Sequence, residues 1–239
     1  MATIIYGKNP VAAAVEAGHV KVLYIVARLK EDRFAKEIAS SVSNVKYQSD
    51  AQIEQLAKTN NTQGYAAEVE DYASYSLADL IAAGKGKKFP LLVMLDGIED
   101  PHNLGAILRS ADAFGVDGII VKSRGEAPLN ATVAKVSTGA IEFVKIAEVT
   151  NLNQAIDTLK KAGYWIVSTD GYSTVDYGDI DYKCPICVVI GSEGFGISKL
   201  VLKNSDFVVR IPMYGHVNSL NASNAAAILL AGIDYKRRH

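Results

Sequence analysis

Three polar segments punctuated by glycine hold most of the residues of this 239-residue chain that are equipped for chemistry. The first runs Asp96-Gly-Ile-Glu-Asp-Pro-His-Asn-Leu-Gly-Ala-Ile-Leu-Arg109 and places Asn103 six residues before Arg109. The second, Gly191-Ser-Glu-Gly-Phe-Gly196, sets one carboxylate, Glu193, among exposed backbone amides. The third, Pro212-Met-Tyr-Gly-His-Val-Asn-Ser-Leu-Asn-Ala-Ser223, concentrates amides and hydroxyls at Asn218, Ser219, Asn221 and Ser223. Each follows an apolar run of strand character: Leu91–Leu95, Cys187–Ile190 and Phe207–Ile211. In parallel α/β sheets, sites form where the carboxyl ends of strands meet helix starts. Three such loops in one domain predict one shared pocket.

Taken singly, the segments are ambiguous. Arg109, among Ala106, Ile107, Leu108 and Ala111, is either a surface residue or a charge aimed into a pocket. The second loop has the order Gly-x-x-Gly-x-Gly late in the chain. A dinucleotide fingerprint reads Gly-x-Gly-x-x-Gly and follows the first strand of its unit. A nicotinamide-dependent oxidoreductase is therefore disfavoured, and the Gly-Lys-Ser/Thr of a phosphate loop is missing. The third segment doubles as the capped start of a last helix, Ser219–Tyr235, rich in small residues.

The elements that position these loops follow from patterning. Residues 1–70 alternate short strands (Ile4–Tyr6, Val22–Val26, Tyr65–Val69) with helices (Pro10–Ala17, Asp32–Ser41, and Asp50–Lys58 with Asp50 as N-cap). They read as a small α/β module. Residues 71–89, with Gly84-Lys-Gly-Lys-Lys88, read as a linker. Residues 90–239 alternate continuous apolar runs with helices, the pattern of a parallel sheet covered on both faces. That reading includes a helix near Leu129–Ser137 and a strand at Phe143–Ile146.

Composition narrows the function. The formal net charge is −1, with 8 basic and 9 acidic residues in 1–72 and 17 of each in 73–239. No global basic field advertises nucleic acid, so an RNA partner must use local patches. The lone Cys184-Pro-Ile-Cys187 enters a strand and lacks a second ligand pair, so it reads as structural rather than redox or zinc chemistry. The carboxylates Asp96, Glu99 and Asp100 show no metal-ligand spacing and are assigned to loop structure. Neither a leader pattern nor a membrane-length apolar run is present, and a cytosolic protein without metal or membrane contact is expected.

Taken together, Asn103-Leu-Gly-Ala-Ile-Leu-Arg109, Ile190-Gly-Ser-Glu-Gly-Phe-Gly-Ile197 and Ile211-Pro-Met213 with Ser219-Leu-Asn-Ala-Ser223 resemble the three motifs of the SpoU/TrmH family of RNA ribose 2′-O-methyltransferases. The resemblance runs from about residue 90 to the C-terminus. Residues 1–70, including Asn61-Thr-Gln-Gly64, look like the L30e-like substrate-binding domain of some members. It implies an α/β catalytic domain with a deep trefoil knot, S-adenosyl-L-methionine as methyl donor, and a homodimer involving the last helix. By motif, Arg109, Asn103, Glu193, Ser219 and Asn221 would serve catalysis, and Gly191, Ile211, Met213 and Leu220 would hold the donor. The domain layout most resembles enzymes that methylate a guanosine ribose of 23S rRNA. Transfer RNA, a 23S adenosine, and a non-catalytic RNA binder of the same fold stand as alternatives.

Overall fold

The computed structural model describes residues 3–239 and divides into two compact units. The first comprises residues up to Tyr72 together with Leu129–Phe143. The second comprises Ala73–Pro128 and Val144–His239. Residues 129–143, placed by linear reading in the second domain, therefore belong to the first unit. Strand and helix alternation carries no record of such an excursion.

In the first unit, β1 (Thr3–Tyr6), β2 (Val20–Val26), β3 (Val45–Gln48) and β4 (Tyr65–Val69) form a mixed sheet of order β1-β4-β2-β3. Helices α1 (Lys8–Glu16), α2 (Arg33–Ser40) and α3 (Asp50–Ala57) connect them. Strand β3 escaped the sequence reading because Lys46 and Tyr47 are both exposed and leave no alternation to see. The cap of α3 is Ser49, not Asp50. Its hydroxyl accepts from the Gln52 amide while the Gln52 side chain accepts from the Ser49 amide, and this reciprocal box satisfies two helix-end donors at once.

The second unit opens with α4 (Leu77–Gly84), inside the stretch expected as linker. Its sheet holds β5 (Leu91–Asp96), β6 (Gly118–Lys122), β7 (Ile146–Val149), β8 (Trp165–Thr169), β9 (Ile186–Gly191) and β10 (Phe207–Val209), all parallel, in the order β10-β8-β9-β5-β6-β7. Helices α5 (Pro101–Ala113), α7 (Leu152–Lys161), α8 (Lys199–Asn204) and α9 (Ala222–Arg238) cover it, while α6 (Ala131–Val136) lies in the first unit. Leu91–Leu95 and Ile186–Ile190 are buried throughout, as central parallel strands must be. Leu92, Met94, Cys187 and Val189 pack with Ile156, Leu159 and Val201 in one apolar cluster. Cys187 is thus a buried core residue.

Two boundaries differ from the sequence reading. Phe143–Ile146 is not a strand: a 3-10 turn spans Ala140–Glu142 and β7 starts at Ile146, where its register with Ile119 begins. The last helix begins at Ala222 rather than Ser219, because the Asn221 side chain accepts from the amides of Ser223 and Asn224 and so fixes the cap there. Among the described residues no helix is long and apolar enough to cross a membrane.

Candidate functional site

Strands β5 and β9 are adjacent at the centre of the sheet, and the chain turns outward from them in opposite directions. This is the switch point at which open α/β sheets form a crevice beyond their strand carboxyl ends. The loops that leave β5 and β9 line a cleft of about 480 Å³, with Asp96, Ile98, Asn103, Lys122, Glu193 and Phe195 among its walls.

The local sequence builds the cleft's wall. Asp100 caps α5 by accepting from the His102 amide, and Pro101 occupies the first helical position, where no amide hydrogen is needed. Leu104, Ile107, Leu108 and Ala111 then form the buried stripe of α5. Asn103 stands in the first turn, at the mouth. Its Nδ2 donates to Glu193 Oε1 at 2.8 Å. Asn221 Nδ2 donates to Asn103 Oδ1 at 2.8 Å and also to Glu193 Oε1. Asn221 Oδ1 meanwhile accepts from the Ser223 amide at 2.9 Å and the Ser223 hydroxyl at 2.6 Å. One residue from each of the three loops, separated by 90 and 118 positions from Asn103, thus meets at one carboxylate.

The remaining expected residues stand apart from that triad. The Arg109 side chain is exposed and, among the described residues, has no hydrogen-bond or ion-pair partner. Six helical residues carry it about 9 Å along α5 from Asn103. Ser219 is exposed and likewise unpaired. Of the expected donor residues, Ile211 and Leu220 are half-buried and Met213 is exposed, and none of these, nor Gly191, lines the cleft. They belong instead to the β9 and β10 loop region. Among the described residues, the backbone from Met213 to Leu220 makes no hydrogen bond within the chain. Free amides and carbonyls beside half-buried Ile211 and Leu220 suit a flat heteroaromatic ring with apolar faces and a polar edge, so these residues fit an adenine.

Gly191 is required by close approach. A Cβ there would enter the backbone of Gly196 and Ile197, where the second loop folds back through paired Ser192–Gly196 hydrogen bonds. Gly191→Ala is expected to cost about 1–3 kcal/mol of stability by overpacking, and to weaken donor binding more than tenfold. Calorimetry with S-adenosyl-L-methionine checks it; unchanged binding would remove the loop from the donor site.

An ionic network stands in the wall of the cleft, and the sequence reading assigned only its Asp96 to loop structure. Asp96, buried at the end of β5, accepts from the Ser198 amide at 2.8 Å and from Lys122 Nζ at 2.9 Å, and its carbonyl accepts from the Ser192 amide. Glu126 accepts from the amides of Gly97 and Ile98 at 2.7 and 2.6 Å. The two carboxylates shift in opposite directions. Burial pushes Glu126 up, and the amides and Lys122 only partly offset it. Burial also opposes ionised Asp96, but the Ser198 amide and Lys122 outweigh it and hold the group below its ordinary value. A carboxylate held low contributes stability above its unfolded pKa, and this is lost as pH falls through the folded value. Asp96→Asn is therefore expected to destabilise by about 2 kcal/mol at pH 7, with the difference from wild type vanishing in acid. Urea unfolding at pH 7 and below pH 3 tests this. Lys122 and Glu126 lie 13 and 17 residues beyond Arg109, outside the three motifs, so no motif spacing could reveal the network.

Comparison with known proteins places this geometry in a family. A sequence model of the SpoU rRNA methylase family matches residues 90–231, and one described as RNA 2′-O ribose methyltransferase substrate binding matches residues 4–75. The chain belongs to the SpoU/TrmH family of RNA methyltransferases. Proteins of Staphylococcus saprophyticus and Staphylococcus aureus that bear the name TrmH family tRNA/rRNA methyltransferase are each 41% identical to it. The alignments cover 99% of this chain and 96% and 97% of theirs. Among solved structures, the SpoU methyltransferase AviRb of Streptomyces viridochromogenes, in complex with AdoMet, superposes with a TM-score of 0.85 at 27% identity, covering 99% of this chain and 91% of that one. An AdoMet-bound rRNA methyltransferase of Sinorhizobium meliloti gives 0.81 at 26% identity, covering 98% and 87%. The family's methyl donor is S-adenosyl-L-methionine.

Proposed function

We propose that this chain transfers the methyl group of S-adenosyl-L-methionine to a ribose 2′-hydroxyl of RNA, with a guanosine of 23S rRNA as the target. The observation that carries this reading is the convergence of Asn103, Glu193 and Asn221 from three separate loops at the β5–β9 switch point. The AdoMet complexes of the two structural neighbours support the donor, and the description matched by residues 4–75 supports a ribose 2′-oxygen as acceptor. The reading includes the family's trefoil knot, an L30e-like first domain over residues 1–70, a methyltransferase domain over 90–239 apart from the 129–143 excursion, a homodimer and a cytoplasmic site of action.

The bound donor supplies an activated methyl on a positively charged sulfur with a good leaving group. The protein's work is alignment and proton removal. Gly191, Ile211, Met213 and Leu220 would hold the donor by backbone contacts and apolar packing. Asn103, Glu193 and Asn221 order the mouth of the cleft so that the ribose enters in line, and Ser219 lines the reacting centre. A guanidinium is a hydrogen-bond donor with no acceptor, so Arg109 serves as a cation rather than as a base. Its charge would lower the pKa of the 2′-hydroxyl and clamp the adjacent phosphate, which would accept the hydroxyl proton when the methyl passes from the donor's sulfur to the ribose oxygen.

A tritiated methyl-transfer assay on protein-free 23S rRNA, 16S rRNA and bulk tRNA, followed by mapping of the labelled ribose, tests the reading. Label in a 2′-O-methylguanosine of 23S rRNA is expected. Label on tRNA, which the names of the staphylococcal relatives keep open, would retain the chemistry and replace the substrate. Donor binding without transfer to any RNA would overturn the activity.

A further inference from the structure

Three aromatic rings on this chain are almost wholly bare. Phe195, Tyr172 and Tyr214 are 99%, 96% and 96% exposed. Single exposed apolar residues are ordinary on a protein surface. What sets these apart is their placement. Phe195 lies in the loop leaving β9, Tyr172 in the loop leaving β8, and Tyr214 in the loop leaving β10. Those strands are consecutive neighbours in the sheet and all parallel, so the three loops emerge from the same end. With neighbouring strands about 4.8 Å apart, the three strand ends span about 10 Å.

Two of these loops are also held in place. Asp170 donates its amide to the Val209 carbonyl, and Ser173 donates its hydroxyl to the Val208 carbonyl at 2.7 Å. Arg210 pairs with Asp176 at 2.6 Å. The Ser192–Gly196 pairing forms the base of the Phe195 turn. The Tyr172 and Phe195 loops are thus anchored, and Tyr214 follows four residues after the Arg210 anchor in a stretch whose backbone is unbonded among the described residues. All three bare rings stand at the end of the sheet that carries Glu193 and Asn221. Phe195 itself lines the cleft and stands two residues after Glu193.

The geometry points to a stacking surface for unpaired nucleotides, in which Phe195, Tyr172 and Tyr214 receive the bases that flank the nucleotide being methylated. It rests on the RNA methyltransferase reading and adds the form of the substrate: single-stranded at and beside the target. An aromatic face accepts any base, because every base has a π-face, and it needs none of the net positive charge this chain lacks. Duplex RNA has its bases already stacked and offers no such partner.

The test measures binding of a fluorescein-labelled single-stranded oligoadenylate, and of a duplex of equal length, to the full chain. Each substitution Phe195→Ala, Tyr172→Ala and Tyr214→Ala is expected to weaken single-strand binding about tenfold, and leave the slope of affinity against salt unchanged, since phosphate contacts are untouched. Tyr172→Phe and Tyr214→Phe should bind as wild type does. Duplex affinity should not change in any variant. Alanine variants that bind oligoadenylate normally would overturn the surface, as would equal loss for the single strand and the duplex. So would sedimentation showing that the triple alanine variant converts a dimer to a monomer, which would give the rings to a second copy of this chain. The outcomes for the two readings separate cleanly. Ring-dependent binding without methyl transfer to any RNA sinks the activity and keeps the surface. Transfer with unchanged KM in all three variants sinks the surface and keeps the activity.

Discussion

Arg109→Ala is expected to lower methyl transfer at least a hundredfold while leaving S-adenosyl-L-methionine affinity within about twofold of wild type. Positioned groups that assist proton transfer typically contribute about 10²–10⁴-fold, and the exposed guanidinium of Arg109 has no other partner among the described residues to explain its presence. It stands outside the buried stripe of Leu104, Ile107, Leu108 and Ala111, so truncation costs little packing. It also stands outside the Asn103–Glu193–Asn221 triad, so the mouth of the cleft keeps its order. Arg109→Lys separates the two parts of the role. Lysine keeps the positive charge but not the planar fork that binds a phosphate through two parallel hydrogen bonds, so partial activity with a raised KM for RNA is expected. Single-turnover transfer alongside donor titration checks both variants. Equal loss of donor binding and transfer in Arg109→Ala would move the residue from catalysis to pocket structure.

The second large effect concerns the fold that carries the site. Arg237, the penultimate residue of α9, donates to four carbonyls: Phe89 at 2.8 Å, Tyr182 at 2.9 Å, Cys184 at 3.1 Å and Pro90 at 3.3 Å. Its guanidinium also lies over the Phe89 ring at 5.8 Å. These carbonyls precede β5 and β9, the two strands whose far ends build the cleft, and the side chain ties both of them to the last helix. Removing it leaves several carbonyls without donors, at about 1–3 kcal/mol for each one that water cannot reach. Arg237→Ala is therefore expected to destabilise the second unit by about 3 kcal/mol. Arg237→Lys should recover less than half of that, because an ammonium cannot span four acceptors arranged for a planar fork. Denaturant unfolding of the full chain gives the numbers. A loss below about 0.5 kcal/mol would mean that solvent already satisfies the carbonyls.

The local sequence of this chain determined what depends on neighbours only a few positions away. Continuous apolar runs made Leu91–Leu95 and Ile186–Ile190 readable as buried strands. The Asp100-Pro101 cap that starts α5, with Asn103 in its first turn, is equally local, although the sequence reading did not use it. The three polar loops were legible because glycines, amides and hydroxyls crowd together where strands end, and Asn103, Glu193 and Asn221 were each singled out there. Only the tertiary structure decided that these three share one carboxylate, because hydrogen bonds of 2.8 Å between residues 90 and 118 positions apart follow from strand order, which no periodicity encodes. The same limit hid the Asp96–Lys122 pair, joined only because β5 and β6 lie side by side. It hid the return of residues 129–143 to the first unit and the Arg237 clamp. A sequence specifies which faces must be buried through free energies that act over one or two turns. Which buried face meets which is settled by packing across the whole chain.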